Sequence, residues 1–432
     1  MIWNEKIECM DPEEMEVLQS ERLRKLVAYL LDNSAFYQKR FKEAGISVGD
    51  IRGISDLKKL PFTRKTDLRD NYPFGMFCVP LRDVVEIHAS SGTTGNPTVV
   101  AYTRNDVKLW SEVMARTLAV AGATPDDIVQ NAYGYGLFTG GLGAHYGAME
   151  LGASVVPMSS GGTKRQLKLM YDFKSTVLTC TPSYAFFMAE EAREMGIDPR
   201  ESALRIGVLG AEPWSDGLRR EIEEAWDMTA LDVYGLSEII GPGVAQECPA
   251  KNGLHIYSDV FFPEVVDPAT GEPVNEGEDG ELVITTLTKE ANPLIRYRIG
   301  DIVSISYDRC SCGRTLPRIS KIKGRTDDML IIRGINVFPS QIEAVLMEVE
   351  GAQPHYLLVV DRVKGLDTLE VQVEVSEDIF SDEIKRLQHL SETIKKEIES
   401  VLALVVDVKL VEPKTIERSM GKAKRVVDKR SA

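Results

Sequence analysis

The sequence predicts an α/β protein: a large N-terminal domain of mostly parallel sheet with added antiparallel strands, followed by a small α+β domain. Three observations carry this. From residue 84 to about residue 290, short β-branched runs alternate with stretches of helical period, the order expected of parallel strands joined by crossover helices. Residues 261–287 are turn-rich, with Asp267-Pro268, Thr270-Gly271 and Glu278-Asp279-Gly280, and read as antiparallel strands. Beyond Arg325-Thr326-Asp327-Asp328 the chain starts a compact unit with its own helix and strand pattern. The expected division is 1–324, a joint at 325–328, and 329–432.

The elements follow in order. Residues 13–44 read as helix, because Leu18, Leu26, Leu30 and Phe41 recur near helical spacing among charges. Strands are expected at 84–87, 154–157, 176–179, 206–209 and 230–233, with helices at 164–173 and 217–226 between them. In the last unit, 339–349 reads as a helix with Pro339 in its first turn. Residues 356–360 and 368–375 read as a strand pair across Lys364-Gly365, and 383–402 as an amphipathic helix with Ile384, Leu387, Ile394 and Ile398 inward. A strand at 405–411 and a polar, basic tail at 418–430 complete the chain.

Composition narrows the function. The 432 residues carry a formal net charge of −15 and no long basic run, which argues against a nucleic-acid surface. No apolar run approaches the roughly 20 residues that span a bilayer. The start, Met1-Ile2-Trp3-Asn4-Glu5-Lys6, lacks the basic-then-apolar order of a signal peptide, so a cytoplasmic setting is expected. There, the six cysteines should be reduced thiols or metal ligands.

Several short segments carry chemistry. Ser90-Ser91-Gly92-Thr93-Thr94-Gly95-Asn96-Pro97-Thr98 is a loop rich in N–H and O–H donors with little bulk, suited to polyphosphate oxygens. It lacks the lysine of the common nucleotide loop, so a cation must come from elsewhere; a ligand-free polar turn has the same composition. Tyr234-Gly235-Leu236-Ser237-Glu238 follows a strand, where ligands of open α/β sheets bind. An aromatic ring there can cover a base and a carboxylate can hold Mg²⁺, though a packed Tyr and an exposed Glu fit equally. Arg296-Tyr297-Arg298-Ile299-Gly300-Asp301 ends in an acid able to accept from two ribose hydroxyls, or to form a salt-bridged turn. Asp327, in the polar joint, is a candidate hinge. Lys422, beside Gly421, is either the missing cation on a mobile segment or part of a solvated tail.

Cys248 and His255, with Cys310 and Cys312 some 55 residues later, offer three thiolates and one imidazole. That is a complete tetrahedral set for structural Zn²⁺, although the spacings are not those of standard fingers. Cys9, Cys78 and Cys180 read as buried apolar positions. His88 and His145 sit near glycine-rich turns without a clear role, while His355 and His389 read as structural.

The order of these motifs resembles that of adenylate-forming enzymes, which include acyl-CoA synthetases. Pro61-Phe62-Thr63-Arg64-Lys65-Thr66-Asp67-Leu68-Arg69, Tyr72-Pro73-Phe74-Gly75, residues 327–342 and residues 419–425 are similar to the phenylacetate–CoA ligases in particular. The resemblance spans nearly the whole chain. It implies ATP-dependent activation of phenylacetate or a related aryl acid to an acyl-adenylate, then transfer to coenzyme A with release of AMP. Loading of a carrier-protein thiol is an alternative of the same chemistry; a non-catalytic nucleotide-binding protein is one of another class, disfavoured because Lys422 and Glu238 are both retained.

The resemblance also implies site roles. Ser90, Ser91, Gly92, Thr93, Thr94 and Gly95 would hold the β- and γ-phosphates. Tyr234 would cover adenine, with Gly235, Asp232 and the Gly210-Ala211-Glu212-Pro213 segment around the nucleotide. Ser237 would reach the α-phosphate, Glu238 would bind Mg²⁺, and Asp301 would hold the ribose with Arg325 nearby. Lys422 would bridge carboxylate and α-phosphate, delivered by a small domain that turns about Asp327, so that 329–432 acts as a lid on 1–324. Tyr133, Tyr135, Gly136, Phe138 and Gly141 would form a pocket for a flat ring. Small-molecule partners only, and a homodimer, complete the expectation. Thr98 stands where many adenylate-forming enzymes carry a lysine, as it does in the phenylacetate branch.

Overall fold

The structure is a computed structural model and describes residues 1–90, 96–326, 328–333, 335–363, 366–376, 379, 384–419 and 422–430. The chain divides into two compact units. One comprises Met1–Cys180, Ser202–Ala211 and Thr229–Lys321; the other comprises Thr181–Glu201, Glu212–Met228 and Ile322–Ala432.

The first unit is built on a nine-stranded sheet. Its parallel half runs from Ser154–Val156 through Ile128–Asn131, Val177–Cys180 and Ile206–Gly210 to Thr229–Leu236. The sheet then continues antiparallel through Gly241–Glu247, Leu254–Ile256, Arg318–Ile319 and Ile305–Ser306. Val177–Cys180 and Ile206–Gly210 are buried at every position. Their continuous apolar runs, in place of alternation, reflect a sheet covered on both faces. A second, antiparallel sheet contains Phe261–Val266, Gly280–Thr286 and Tyr297–Val303, as the turn-rich sequence predicts.

Helix Arg104–Ala121 covers one face. It opens on a capping box formed by Thr103 and Asp106 and closes on Gly122, whose φ of 99° a side chain would strain. Ala115, Leu118 and Ala119 pack with Val129, Val177, Val208 and Leu231. Helix Gly140–Leu151 lies close against it. A Cβ at Gly147 would stand 2.4 Å from the Met114 Cβ, and one at Gly143 2.6 Å from the Trp110 ring.

The expected helix over 13–44 is two helices, Pro12–Asn33 and Ala35–Glu43. Ser34 breaks it, with extended φ and ψ of −123° and 106°, and its hydroxyl accepts the Tyr37 N–H. Leu26, Leu30 and Phe41 are buried as expected. The first strand lies at Glu86–Ala89, two residues later than the expected 84–87.

The second unit holds a four-stranded sheet in the order Asp407–Val411, Leu366–Val375, Ala352–Val363, Val426–Asp428. The strand pair and the helices Pro339–Glu348 and Ile384–Leu402 lie where the sequence places them. Ile394 and Ile398 are fully buried, and Leu387 packs against the same core. The basic tail is a correction: Val426–Asp428 forms a strand parallel to Ala352–Val363, because an apolar Val426-Val427 pair sits among the charges. Helices Pro182–Glu194 and Asp216–Trp226 also belong to this unit. A Cβ at Gly217 would stand 2.2 Å from the Met347 Cβ, so helix Asp216–Trp226 lies against Pro339–Glu348.

Gly147→Val should cost about 1–3 kcal/mol by overpacking against Met114. Gly136→Ala, whose Cβ meets nothing within 4 Å, should cost little. Urea midpoints of the two variants check this; equal midpoints would contradict the packing described.

Candidate active site

Polar groups collect where the parallel strands end. At the end of strand Thr229–Leu236 the pairing with Gly241–Glu247 shifts register between Tyr234 and Gly235. The irregularity re-aims the following turn. Gly235 is required there, since a Cβ would stand 2.0 Å from the Gly241 carbonyl oxygen.

Three of the predicted site residues acquire partners in this turn. The Tyr234 hydroxyl donates to Asp301 Oδ2 at 2.6 Å, joining two motifs 67 residues apart. Ser237 Oγ lies 3.2 Å from Thr139 Oγ1. Thr98 Oγ1 donates to Glu238 Oε1 at 3.4 Å, and both side chains are buried. The Asp232 N–H donates to Glu247 Oε2.

The base of the donor-rich loop is closed. The Ser90 N–H donates to the Thr98 carbonyl, and Ser90 Oγ accepts the Thr98 N–H, both at 2.9 Å. Ser91, Gly92, Thr93, Thr94 and Gly95 lie outside the described residues, as do Asp327, Gly334 and Gly421.

Each unit holds some of the other residues expected at the nucleotide. In the first, Gly210 packs so tightly on strand Thr229–Leu236 that a Cβ would meet the Val233 carbonyl oxygen at 2.1 Å, and Ala211 adopts a φ of 72°. In the second, Glu212 accepts the N–H groups of Ser183 and Ala423 at 2.8 and 2.9 Å. Pro213 is exposed, and Arg325 pairs with Asp328 at 3.4 Å. The Lys422 side chain is exposed, and its carbonyl accepts the Ser419 hydroxyl at 2.8 Å.

The glycine- and tyrosine-rich segment is organised by a residue that motif reading missed. Asn131, fully buried at the end of its strand, donates to Tyr135 Oη and to the Gly141 carbonyl, each at 2.7 Å. Its Oδ1 accepts from the Thr179 hydroxyl at 3.0 Å. Gly141 approaches Gly134 so closely that a Cβ would stand 2.5 Å from the Gly134 carbonyl oxygen. Tyr133 is buried and Tyr135 half-buried, with its hydroxyl 3.1 Å from His145 Nδ1. Burial lowers the His145 pKa below the usual imidazole value. Phe138 is 59% exposed, so it packs as no wall in this structure. His88 holds the same segment, with Nδ1 2.9 Å from the Leu137 carbonyl and Nε2 2.6 Å from Glu86.

Lys289 was also missed. It is fully buried, donates to the Ile239 carbonyl at 3.0 Å, and lies 4.9 Å from the centre of the Tyr102 ring. Burial brings its pKa down to about 8, while the charges of Asp106 and Glu238 oppose the shift. Nothing in a sequence marks a lysine as buried, so no pattern could have found it.

Cys248, His255, Cys310 and Cys312 come together, each with one ligand atom within 4.8 Å of the others. Strand pairing brings this about: His255 pairs with Arg318 across the sheet, which returns the Cys310-Ser311-Cys312 turn to the end of strand Gly241–Glu247. The Cys248 and Cys310 sulfurs are 3.7 Å apart, and Cys312 Sγ lies 3.3 Å from His255 Nε2. Burial pushes the Cys248 thiol up to about 12. At Cys312 burial also raises the value, but the His255 hydrogen bond and the Arg314 N–H outweigh it and bring the thiol to about 7. Arg314 ties this turn to the start of the chain, donating to the fully buried Glu8 at 2.6 Å and to the Met1 carbonyl at 2.8 Å. Cys78 and Cys180 are buried as expected; Cys9 is only half-buried and lies within electrostatic reach of Cys312.

Residues 35–288 match the family model described as AMP-binding enzyme, and residues 334–430 match that of the AMP-binding enzyme C-terminal domain. Phenylacetate-coenzyme A ligase of Thermus thermophilus is 51% identical to this chain over 100% of both. That of Escherichia coli is 48% identical, covering 100% of this chain and 99% of its own. Among solved structures, 2-hydroxyisobutyryl-CoA ligase in the postadenylation state, in complex with 2-HIB-AMP, superposes with a TM-score of 0.93 at 31% identity, over 99% of this chain and 92% of its own.

Lys289 gives a pH dependence whose sign is fixed. The unfolded chain keeps this proton up to the ordinary value of 10.5, whereas the folded chain releases it near 8. Between those values the unfolded state binds more protons, so folded stability rises with pH. Relative to Lys289→Met, the wild type should therefore gain stability by up to about 3 kcal/mol across this window. Unfolding free energies of both proteins at several pH values check this; a difference independent of pH would contradict it.

Proposed function

The chain belongs to the AMP-binding, adenylate-forming enzymes, and within them to the phenylacetate–CoA ligase family, and on that premise we propose that it activates phenylacetate or a close aryl acid with ATP and passes the acyl group to coenzyme A. It is an AMP-forming acid–CoA ligase. The finer reading rests above all on the Tyr234–Asp301 and Thr98–Glu238 pairs at the end of the parallel strands.

A carboxylate resists attack because its oxygen is a poor leaving group. Transfer to the α-phosphate converts that oxygen to part of AMP, which leaves readily when the thiol attacks. The Tyr234 ring stacks on adenine, while its hydroxyl orients Asp301 toward the ribose. Ser237 and the loop from Ser90 to Gly95 donate to phosphate oxygens. Glu238, held by Thr98, is the carboxylate that would hold Mg²⁺, an oxygen-seeking cation that neutralises phosphate charge when bound. Lys422 places its ammonium between the two anions as charge builds in the transition state. The small domain turns about Asp327 after the first step, so that one pocket serves both reactions. Tyr133, Tyr135 and the glycines beside them suit a flat ring, with ring stacking favouring an aryl acid by about 1 kcal/mol beyond burial.

Cys248, His255, Cys310 and Cys312 would hold one structural Zn²⁺. With Zn–S bonds of about 2.3 Å, the edge of a tetrahedron is about 3.8 Å, and the Cys248–Cys310 separation is 3.7 Å. That distance is far too long for a disulfide. The set is complete without a water position and lies among strand ends, which suits a structural clip. Reduced thiols of this kind also fit a cytoplasmic enzyme.

Lys422→Ala should lower acid-dependent adenylate formation by about 10²–10³ and leave thiolysis of supplied acyl-adenylate largely intact; equal loss of both half-reactions would reject the role. Metal analysis should find about one zinc per chain, with chelation lowering the melting temperature; metal-free protein of unchanged melting temperature would reject the site.

A further inference from the structure

We infer that Glu212 is a positioning residue for Lys422, fixing the backbone of the loop that carries it during adenylate formation. This rests on the adenylating role proposed for Lys422 and goes beyond the place of Glu212 in a nucleotide wall.

The two carboxylate oxygens of Glu212 take one backbone N–H each. Oε1 accepts from Ser183 at 2.8 Å, in the first turn of helix Pro182–Glu194. Oε2 accepts from Ala423 at 2.9 Å, the residue that follows Lys422. First-turn N–H groups have no partner within a helix, and the positive end of the helix favours an anion, so the first bond is a strong anchor. The anchor is also rigid. Thr181 caps the same turn, Tyr184 and Ala185 are fully buried, and the Trp226 indole donates to the Ala185 carbonyl at 2.9 Å. One end of the carboxylate is thus fixed to a packed helix, and the other holds the Lys422 loop.

A second tie lies two residues on. The Arg425 guanidinium stands 3.5 Å from Glu343 and 4.3 Å from the centre of the Tyr356 ring, and its carbonyl accepts the Leu358 N–H at 2.8 Å. Glu343 is buried and accepts the Ser215 N–H at 2.8 Å. The segment 212–215 therefore meets the chain after Lys422 at two points, once through its own carboxylate and once through Glu343. The Lys422 side chain remains exposed beyond these ties, so its backbone is held while the ammonium extends outward.

Only a carboxylate can serve both N–H groups. A Gln side chain offers one acceptor oxygen, and its NH₂ would face a donor. Glu212→Gln keeps the shape and removes one of the two bonds. Loss of a charge-assisted hydrogen bond should lower the adenylation rate by about 10–100-fold, with the KM for ATP within about twofold and thiolysis of supplied acyl-adenylate unchanged. In a Lys422→Ala background, Glu212→Gln should cost nothing further, because it acts through that lysine. A full additional loss in that background would overturn the inference while leaving the role of Lys422 in place. So would a change confined to the KM for ATP, a parallel loss of both half-reactions, or a wild-type rate. Wild-type adenylation by Lys422→Ala alone would instead remove the functional reading, and this inference with it.

Discussion

Burial of the parallel strands on both faces is the constraint on which this site depends. Strands such as Val177–Cys180 and Ile206–Gly210 have no exposed position on which to place chemistry. Polar groups therefore gather at the strand ends, where backbone pairing stops. Asn131 shows the transition within one residue: its backbone closes the strand and its side chain organises the next ten residues. Tyr234 does the same three strands over, with its hydroxyl on Asp301.

Much of this was legible in the sequence where chemistry and backbone geometry demand the same residue. The Tyr234–Glu238 turn needs a glycine at 235, and that glycine stands among the polar residues from which the sequence predicts a ligand site. The Cys/His set was legible for a related reason, since three thiols and an imidazole make a complete tetrahedral ligand set, and their ligand atoms do come together. What escaped depends on burial and on long-range contact. Lys289 looks like any surface lysine until the strands close over it. Ser34 reads as helical because its neighbours are, although its N–H closes one helix on the Leu30 carbonyl and its hydroxyl caps the start of the next. Val426–Asp428 is too short to outweigh the charges around it, yet Ala352–Val363 supplies an edge for it to join.

The second unit carries the lysine on a loop that is not loosely tethered. Glu212 and Glu343 are acids of different segments, and both reach the few residues after Lys422, one directly and one through Arg425. Exposed ion pairs such as Arg220–Glu348 and Lys414–Glu194 lie in the same unit but contribute little individually. Half-buried carboxylate–backbone bonds are directional, so they fix position better than such surface pairs do.

The central claim is that the acid is activated before the thiol takes part. Isotope exchange between pyrophosphate and ATP, with no coenzyme A present, tests it most directly. The account predicts label entering ATP only when phenylacetate or a similar aryl acid is added. Exchange without any acid, or none until coenzyme A is supplied, would contradict it.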